Sequence, residues 1–162
     1  MQGFERELLS LLPRLRRFAR ALARDAADAD DLVQASVERA LRAQAQWTPG
    51  TRLDWWTMRI MRNSWIDETR SRARRARTFA PAEDGRDAAS DDHRQVEIRA
   101  QMRDVGRAMD ALPPEQREVI ALVLVEGLAY REAADLLDIP IGTLTSRLTR
   151  GRQALAAMLE AA

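Results

Sequence analysis

The chain has 162 residues, with 26 basic side chains against 25 acidic ones, one His and no Cys. That length suits one domain or two small ones, and the near absence of His and Cys argues against a metal cage, disulfides or thiol chemistry. No run reaches the ~18 to 20 consecutive apolar residues of a membrane span, and the N-terminus lacks the basic-then-apolar order of a secretory signal, so a cytoplasmic protein without membrane insertion is expected.

A net charge of +1 hides strong segregation. All the basic residues are Arg; five of them fall between Arg14 and Arg24 with no acid, and four Asp follow between Asp25 and Asp31 with no base. Seven more Arg lie between Arg59 and Arg77, and Glu83 to Asp92 turns acidic again. Blocks of this kind mark different faces for different partners, although a solvated helix face explains any one of them equally well.

In chain order, Leu8, Leu11, Leu15, Phe18 and Leu22 recur at helical spacing and predict one helix from about Glu5 to Ala23. Asp28 is the expected cap of a second helix, with Leu32, Val33, Val37, Ala40 and Leu41 on its buried face and an end near Gln46. Trp47-Thr48-Pro49-Gly50-Thr51 breaks the pattern, and a third, long helix starts near Arg52. From Ser71 to about Arg94 the apolar content drops to Ala and Phe79, while Pro81, Gly85, Ser90 and mixed charges accumulate; this reads as a flexible linker. Helical spacing returns with Ile98, Met102, Val105, Met109 and Leu112, and Pro113-Pro114 starts another helix at Glu115 that can run to Gly127. The expected fold is all-α: two small helical domains, 1–75 and 96–162, joined by a linker over 76–95.

The second domain carries a helix-turn-helix pattern. Tyr130 to Leu137 forms a short helix, Asp138 to Gly142 a turn, and Thr143 is the expected cap of a helix reaching about Leu159. Small Ala133 and Ala134 allow a close crossing, Ile139 plugs the turn, and Leu144 and Leu148 anchor the second helix. Its outer face then carries Thr145, Ser146, Thr149, Arg150 and, at the edge, Arg147, groups suited to phosphates and base edges in a major groove. An ordinary helical hairpin with a wet polar side satisfies the same pattern.

In the first domain, the long helix places Leu53, Trp56, Ile60 and Ser64 on one side and Trp55, Arg59, Arg62 and Ile66 on another, with Asn63 between them. Aromatic, amide and guanidinium groups on one surface suit an unpaired strand, whose bases offer both a π-face and a free edge. Trp56 belongs to the apolar stripe, which leaves Trp47 in the preceding loop as the better candidate to touch a base.

Taken together these residues resemble the extracytoplasmic-function sigma factors of bacterial RNA polymerase, the minimal members of the sigma-70 family. The likeness rests on Asp30-Asp31-Leu32-Val33-Gln34, on Pro49-Gly50-Thr51 followed by Trp56, Arg59-Ile60, Arg62-Asn63 and Ile66-Asp67-Glu68, and on Leu112-Pro113-Pro114-Glu115-Gln116-Arg117. Glu126 to Glu132, Ile139 to Leu144 and Ser146-Arg147-Leu148 complete it. The resemblance implies that Asp30, Asp31, Leu32 and Gln34 sit on the helix that docks on core polymerase. It implies that Trp47, Thr48, Pro49, Gly50 and Thr51 capture an everted base of the −10 element, with Arg59, Arg62 and Asn63 holding the strand. It further implies that Thr143, Thr145, Ser146, Arg147, Thr149 and Arg150 read the −35 duplex, that an anti-sigma factor controls the chain in a stress response, and that no cofactor, metal or small-molecule substrate is needed. Ala35 and Val37 depart from the family, which usually has an acid and an aromatic there, and Thr145 stands where a basic residue is common.

The implied mechanism is recognition coupled to melting, not catalysis: one domain fixes position on duplex DNA while the other holds a separated strand, offsetting unpairing that costs ~1.4 kcal/mol per step. Near-zero net charge predicts weak DNA binding by the free chain, so core polymerase has to supply affinity by tethering both domains. The main alternative is a stand-alone helix-turn-helix regulator that binds inverted half-sites as a dimer. A sigma-like decoy would need a receiver domain for which the chain has no room, and an enzyme lacks its residues, since the only His, His93, lies in the expected linker.

Overall fold

The computed structural model describes residues 2–78 and 93–162, with side-chain surroundings given from 96 onward in the second segment. Eight α-helices and no strand are found among the described residues, as the all-α expectation requires. Most of the expected linker, 76–95, lies outside them.

The first expected helix is two helices. α1 spans Gln2–Ser10 and α2 spans Leu12–Leu22. Pro13 is the cause: it has no N–H to give to the preceding turn, so it is tolerated only where a new helix begins. The Leu11 N–H at the corner is shared between the carbonyls of Glu7 (3.2 Å) and Leu8 (3.1 Å). The apolar stripe survives the corner, with Phe4, Leu8, Leu15, Phe18 and Leu22 buried. α3 runs Ala26–Arg42, and its cap is Asp25, not Asp28: the Asp25 carboxylate accepts the Asp28 backbone N–H at 3.1 Å. Asp28 instead accepts two guanidinium bonds from Arg72, at 2.7 and 2.8 Å, and so ties α3 to α4. A 3-10 turn, Gln44–Gln46, closes this region close to the expected stop.

α4 spans Leu53–Ala76, continuing through the stretch from Ser71 that reads as the start of the linker. Its i,i+4 ion pair Arg72–Glu68 supports that extension. The buried face of α4 is Leu53, Thr57, Met58, Met61 and Ser64, a rotation from the expected stripe that leaves Trp56 and Ile60 half-buried at the margin. Unbranched Met side chains adapt to irregular space, and both are fully enclosed here.

In the second lobe α5 spans His93–Ala111, α6 spans Pro114–Ile120 and passes into a π-helical turn at Ala121–Val125, α7 spans Tyr130–Leu137 and α8 spans Ile141–Glu160. Gly127, at φ +72°, releases the chain from the π turn. Asp138, at φ 54°, ends α7 in the left-handed region that a short polar residue tolerates, and the Ile139 N–H reaches back to the Ala134 carbonyl at 3.0 Å. α8 begins behind Pro140 with no side-chain cap, two residues before the expected Thr143, which lies inside the first turn. Ala133, Ala134, Leu144 and Leu148 are buried as expected. Gly151 sets the α6–α8 crossing, because a Cβ there would meet Ile120 Cδ1 at 2.7 Å.

The two lobes dock. α2 and α4 pack against α6, the π turn and α7, and the buried residues form one continuous cluster across the junction.

Candidate nucleic-acid interface

The outer face of α8 is bare. Thr145, Ser146, Thr149 and Arg150 are exposed and line a shallow groove with Gly142, whose lack of a side chain opens its upper end. The hydroxyls of Thr145 and Thr149 donate to the carbonyls of Ile141 and Thr145, each at 2.9 Å, leaving lone pairs free to accept from a base edge. Arg147 is half-buried and turned toward the junction, where it lines a cleft with Arg62 and Glu118; Thr143 is also half-buried.

On α3, Asp30, Asp31 and Gln34 are exposed, whereas Leu32 is 6% exposed and packs in the core, so it holds the helix in place. The exposed surface of this helix at these positions is therefore polar, made of carboxylates and an amide.

The loop before α4 divides in two. Thr48, Pro49, Gly50 and Thr51 are exposed at its tip, where Thr51 Oγ1 donates to the Thr48 carbonyl at 2.6 Å and Gly50 takes φ +85°. Trp47 is not at the tip. It packs against Phe4 with the rings tilted at 55° and their centroids 5.4 Å apart, and Phe4 in turn meets Trp56 edge-on at 6.2 Å. The Trp47 indole N–H is buried without a hydrogen-bond partner, which places this side chain under the loop as a support. Arg59 is exposed, with its guanidinium 5.3 Å from the Trp55 ring centre, and Asn63 is exposed beside it. Asn63 lies about 15 Å along the helix axis from Leu53, where the loop joins α4.

Trp55 and Arg62 meet the second lobe. Trp55 Nε1 donates to the Glu132 carbonyl at 2.9 Å, and Arg62 Nε pairs with Glu118 at 3.4 Å. Nearby, Arg14 bridges Asp54 at 2.9 Å and Glu126 at 3.0 Å, Arg17 adds a 3.3 Å bond to Glu126, and Arg52 reaches both Asp54 and Glu132. The Glu126 side chain is fully enclosed. Burial alone would raise the Asp54 carboxyl, but hydrogen bonds from Arg52, the Trp55 backbone and Arg14 hold it well below the usual carboxylate range. Burial raises Glu118, partly offset by Arg62 and Arg147. Arg117 is 4% exposed; burial and then the neighbouring Arg24 lower its pKa, and its guanidinium spans the carbonyls of Leu112 and of Leu22 across the junction at 3.4 and 3.5 Å.

Pattern reading used Glu126 and Glu132 only as family-motif residues, gave them no role at the junction, and did not single out Glu118. One signal was available: acids bracketing the apolar run Val119 to Val125 end a buried helix, and a buried carboxylate requires a cationic partner.

The profile of sigma-70 region 2 matches residues 8–75 and that of sigma-70 region 4 matches residues 102–155. The chain is 33% identical over 153 residues to the ECF RNA polymerase sigma factor EcfG of Rhodopseudomonas palustris strain TIE-1, covering 94% of this chain and 83% of the relative. The chain belongs to the extracytoplasmic-function sigma factors. It acts in directing transcription initiation and is not an enzyme. It is also 37% identical over 145 residues to the ECF RNA polymerase sigma factor SigE of Mycolicibacterium smegmatis, covering 88% of this chain and 56% of that protein. Among solved structures it is similar to the sigma factor RpoE of Bartonella quintana, crystallised in complex with the anti-sigma factor NepR. That likeness has a TM-score of 0.83 at 30% identity and covers 99% of this chain and 98% of that one. No helix among the described residues is long and apolar enough to cross a membrane.

Proposed function

We propose that this sigma factor works in the cytoplasm through three surfaces. Asp30, Asp31 and Gln34 on α3 dock on core RNA polymerase. The loop tip Thr48 to Thr51, with Arg59, Arg62 and Asn63, holds the −10 element as a single strand. The α8 face of Thr145, Ser146, Thr149 and Arg150, with Thr143 and Arg147 at its edge, reads the −35 element as duplex. Region 1–75 forms one working unit and 96–162 the other, with 76–95 as the tether between them.

The observation that carries this reading is the contrast between two polar faces. The α8 face is a smooth, hydroxyl-rich helix surface suited to a groove, whereas the α4 face combines Arg, Asn and Trp beside an exposed loop, which suits an unstacked strand. Strand stacking worth ~1 to 3 kcal/mol per base offsets melting only when both faces are held on one promoter, which is the role of core polymerase. The complex of the Bartonella relative with NepR supports control of this chain by an anti-sigma protein.

The test is run-off transcription with core polymerase, with and without the chain, followed by start-site mapping. Initiation at a defined site that depends on both components is expected. Promoter opening by the chain alone, or failure to comigrate with core polymerase, overturns the reading.

A further inference from the structure

We propose that the cleft bordered by α2, α4, α6 and α8 is a binding site for a phosphoryl anion, either free phosphate or the phosphates of a small ester such as a nucleoside diphosphate. The cleft has a volume of about 580 Å³, within the range of small-molecule sites, and its walls carry four guanidinium groups, from Arg24, Arg62, Arg117 and Arg147. The carboxylates that share it are mostly engaged. Asp25 accepts the Asp28 N–H at 3.1 Å, Asp28 takes two bonds from Arg72 at 2.7 and 2.8 Å, and Glu118 pairs with Arg62 at 3.4 Å. Glu115 also lines the cleft and is exposed to solvent.

Arg24, Arg117 and Arg147 are left without an ion pair among the described residues. Arg117 is the decisive one. It is 4% exposed, its guanidinium reaches only the backbone carbonyls of Asp110, Leu112 and Leu22, at 3.4 to 3.5 Å, and its Nε is buried with no hydrogen-bond partner. A guanidinium keeps its charge when buried, and a buried charge is ordinarily met by an opposite one. Here burial first, and then like charge from Arg24, disfavour the protonated form. An anion in the cleft answers all three groups. A single carboxylate would neutralise one of them, whereas a phosphate ester carries about 1.5 to 2 negative charges and three acceptor oxygens, which guanidinium forks meet two at a time. Leu22, Trp65, Ile66 and Pro114 add apolar wall against which the organic part of an ester can lie. Neither Arg24 nor Arg117 is among the residues proposed to meet promoter DNA, so this inference does not rest on that reading.

The test is isothermal titration calorimetry on the full chain at physiological salt, with ADP and inorganic phosphate as separate probes. Arg24→Glu is compared with Arg70→Glu, which makes the same charge change on α4 outside the cleft. Arg24 is exposed, so its replacement tests the site without emptying the core, and circular dichroism checks that helicity is kept. Saturable binding of one ligand per chain is expected, weakened roughly tenfold or more by Arg24→Glu and unchanged by Arg70→Glu. ADP binding tighter than inorganic phosphate identifies an ester as the occupant, and equal binding identifies the phosphoryl group alone. Failure of both probes to saturate the parent chain, or the same affinity in the two variants, overturns the site while the proposed function stands.

Discussion

The two faces proposed to meet nucleic acid are kept in different ways. The α8 face has nothing above it: the Thr145 and Thr149 hydroxyls donate to carbonyls of their own helix, and its shape is set from below by Leu144 and Leu148. The α4 face carries Trp55 and Arg62, whose indole and guanidinium are expensive to leave unpaired beside apolar surface, and here they are paired with the other lobe. On the roles proposed above, the duplex-reading face stands open, whereas the strand-holding face is partly covered by the other lobe.

Four changes sharpen or break that contrast. The largest effect is expected from Leu144→Ala, which empties a fully buried site beneath the open face; a loss of about 2 to 5 kcal/mol should appear in denaturant unfolding. Arg150→Ala should cost about 1 to 3 kcal/mol in −35 duplex affinity within the polymerase complex, read by mobility shift, while strand opening on a preformed bubble stays unchanged. Equal damage to both would mean that the faces are not separable. Asp25→Ala removes the α3 cap and should lower stability by about 0.5 to 2 kcal/mol in thermal melts without touching either face.

The smallest change is expected from Asp54→Asn, and it concerns the junction. The Asp54 carboxyl is depressed below its ordinary 3.8, so its contribution is present above that value and is lost as pH falls through it toward the lower folded value. In chemical denaturation across that acid range, the parent chain should lose stability more steeply than the variant. Parallel curves would show that Arg14 and Arg52 do not depend on this carboxylate.

Much of this was legible in the residues. Helical spacing placed α3, α4 and α7 within a few positions of their observed bounds, and the small Ala pair, Ile139 and Leu144 defined the helix-turn-helix. The misses have local causes. Pro13 splits a stripe whose apolar spacing runs straight across the break, and Asp25 captures the cap because it stands three residues before an N–H it can reach. At the site, Asn63, Arg59 and the loop tip are exposed as expected and Leu32 lies on the buried face expected of it, but Trp47 packs on Phe4 beneath the loop and Arg147 turns to the junction. Short-range pattern cannot show which lobe covers which face, since Arg62 and Glu118 are 56 positions apart.

The π turn at Ala121–Val125 carries one more consequence. The Glu126 N–H closes it by reaching back five residues to the Ala121 carbonyl at 2.9 Å, so the helix is overfilled by one position just before the carboxylate that fastens the junction. Deleting one residue there would restore ordinary i→i+4 closure and leave the Glu126 carboxylate in nearly its present phase, because a π turn absorbs its extra residue within a single turn. A single codon's worth of helical surplus is thus carried without turning the buried carboxylate away from Arg14 and Arg17.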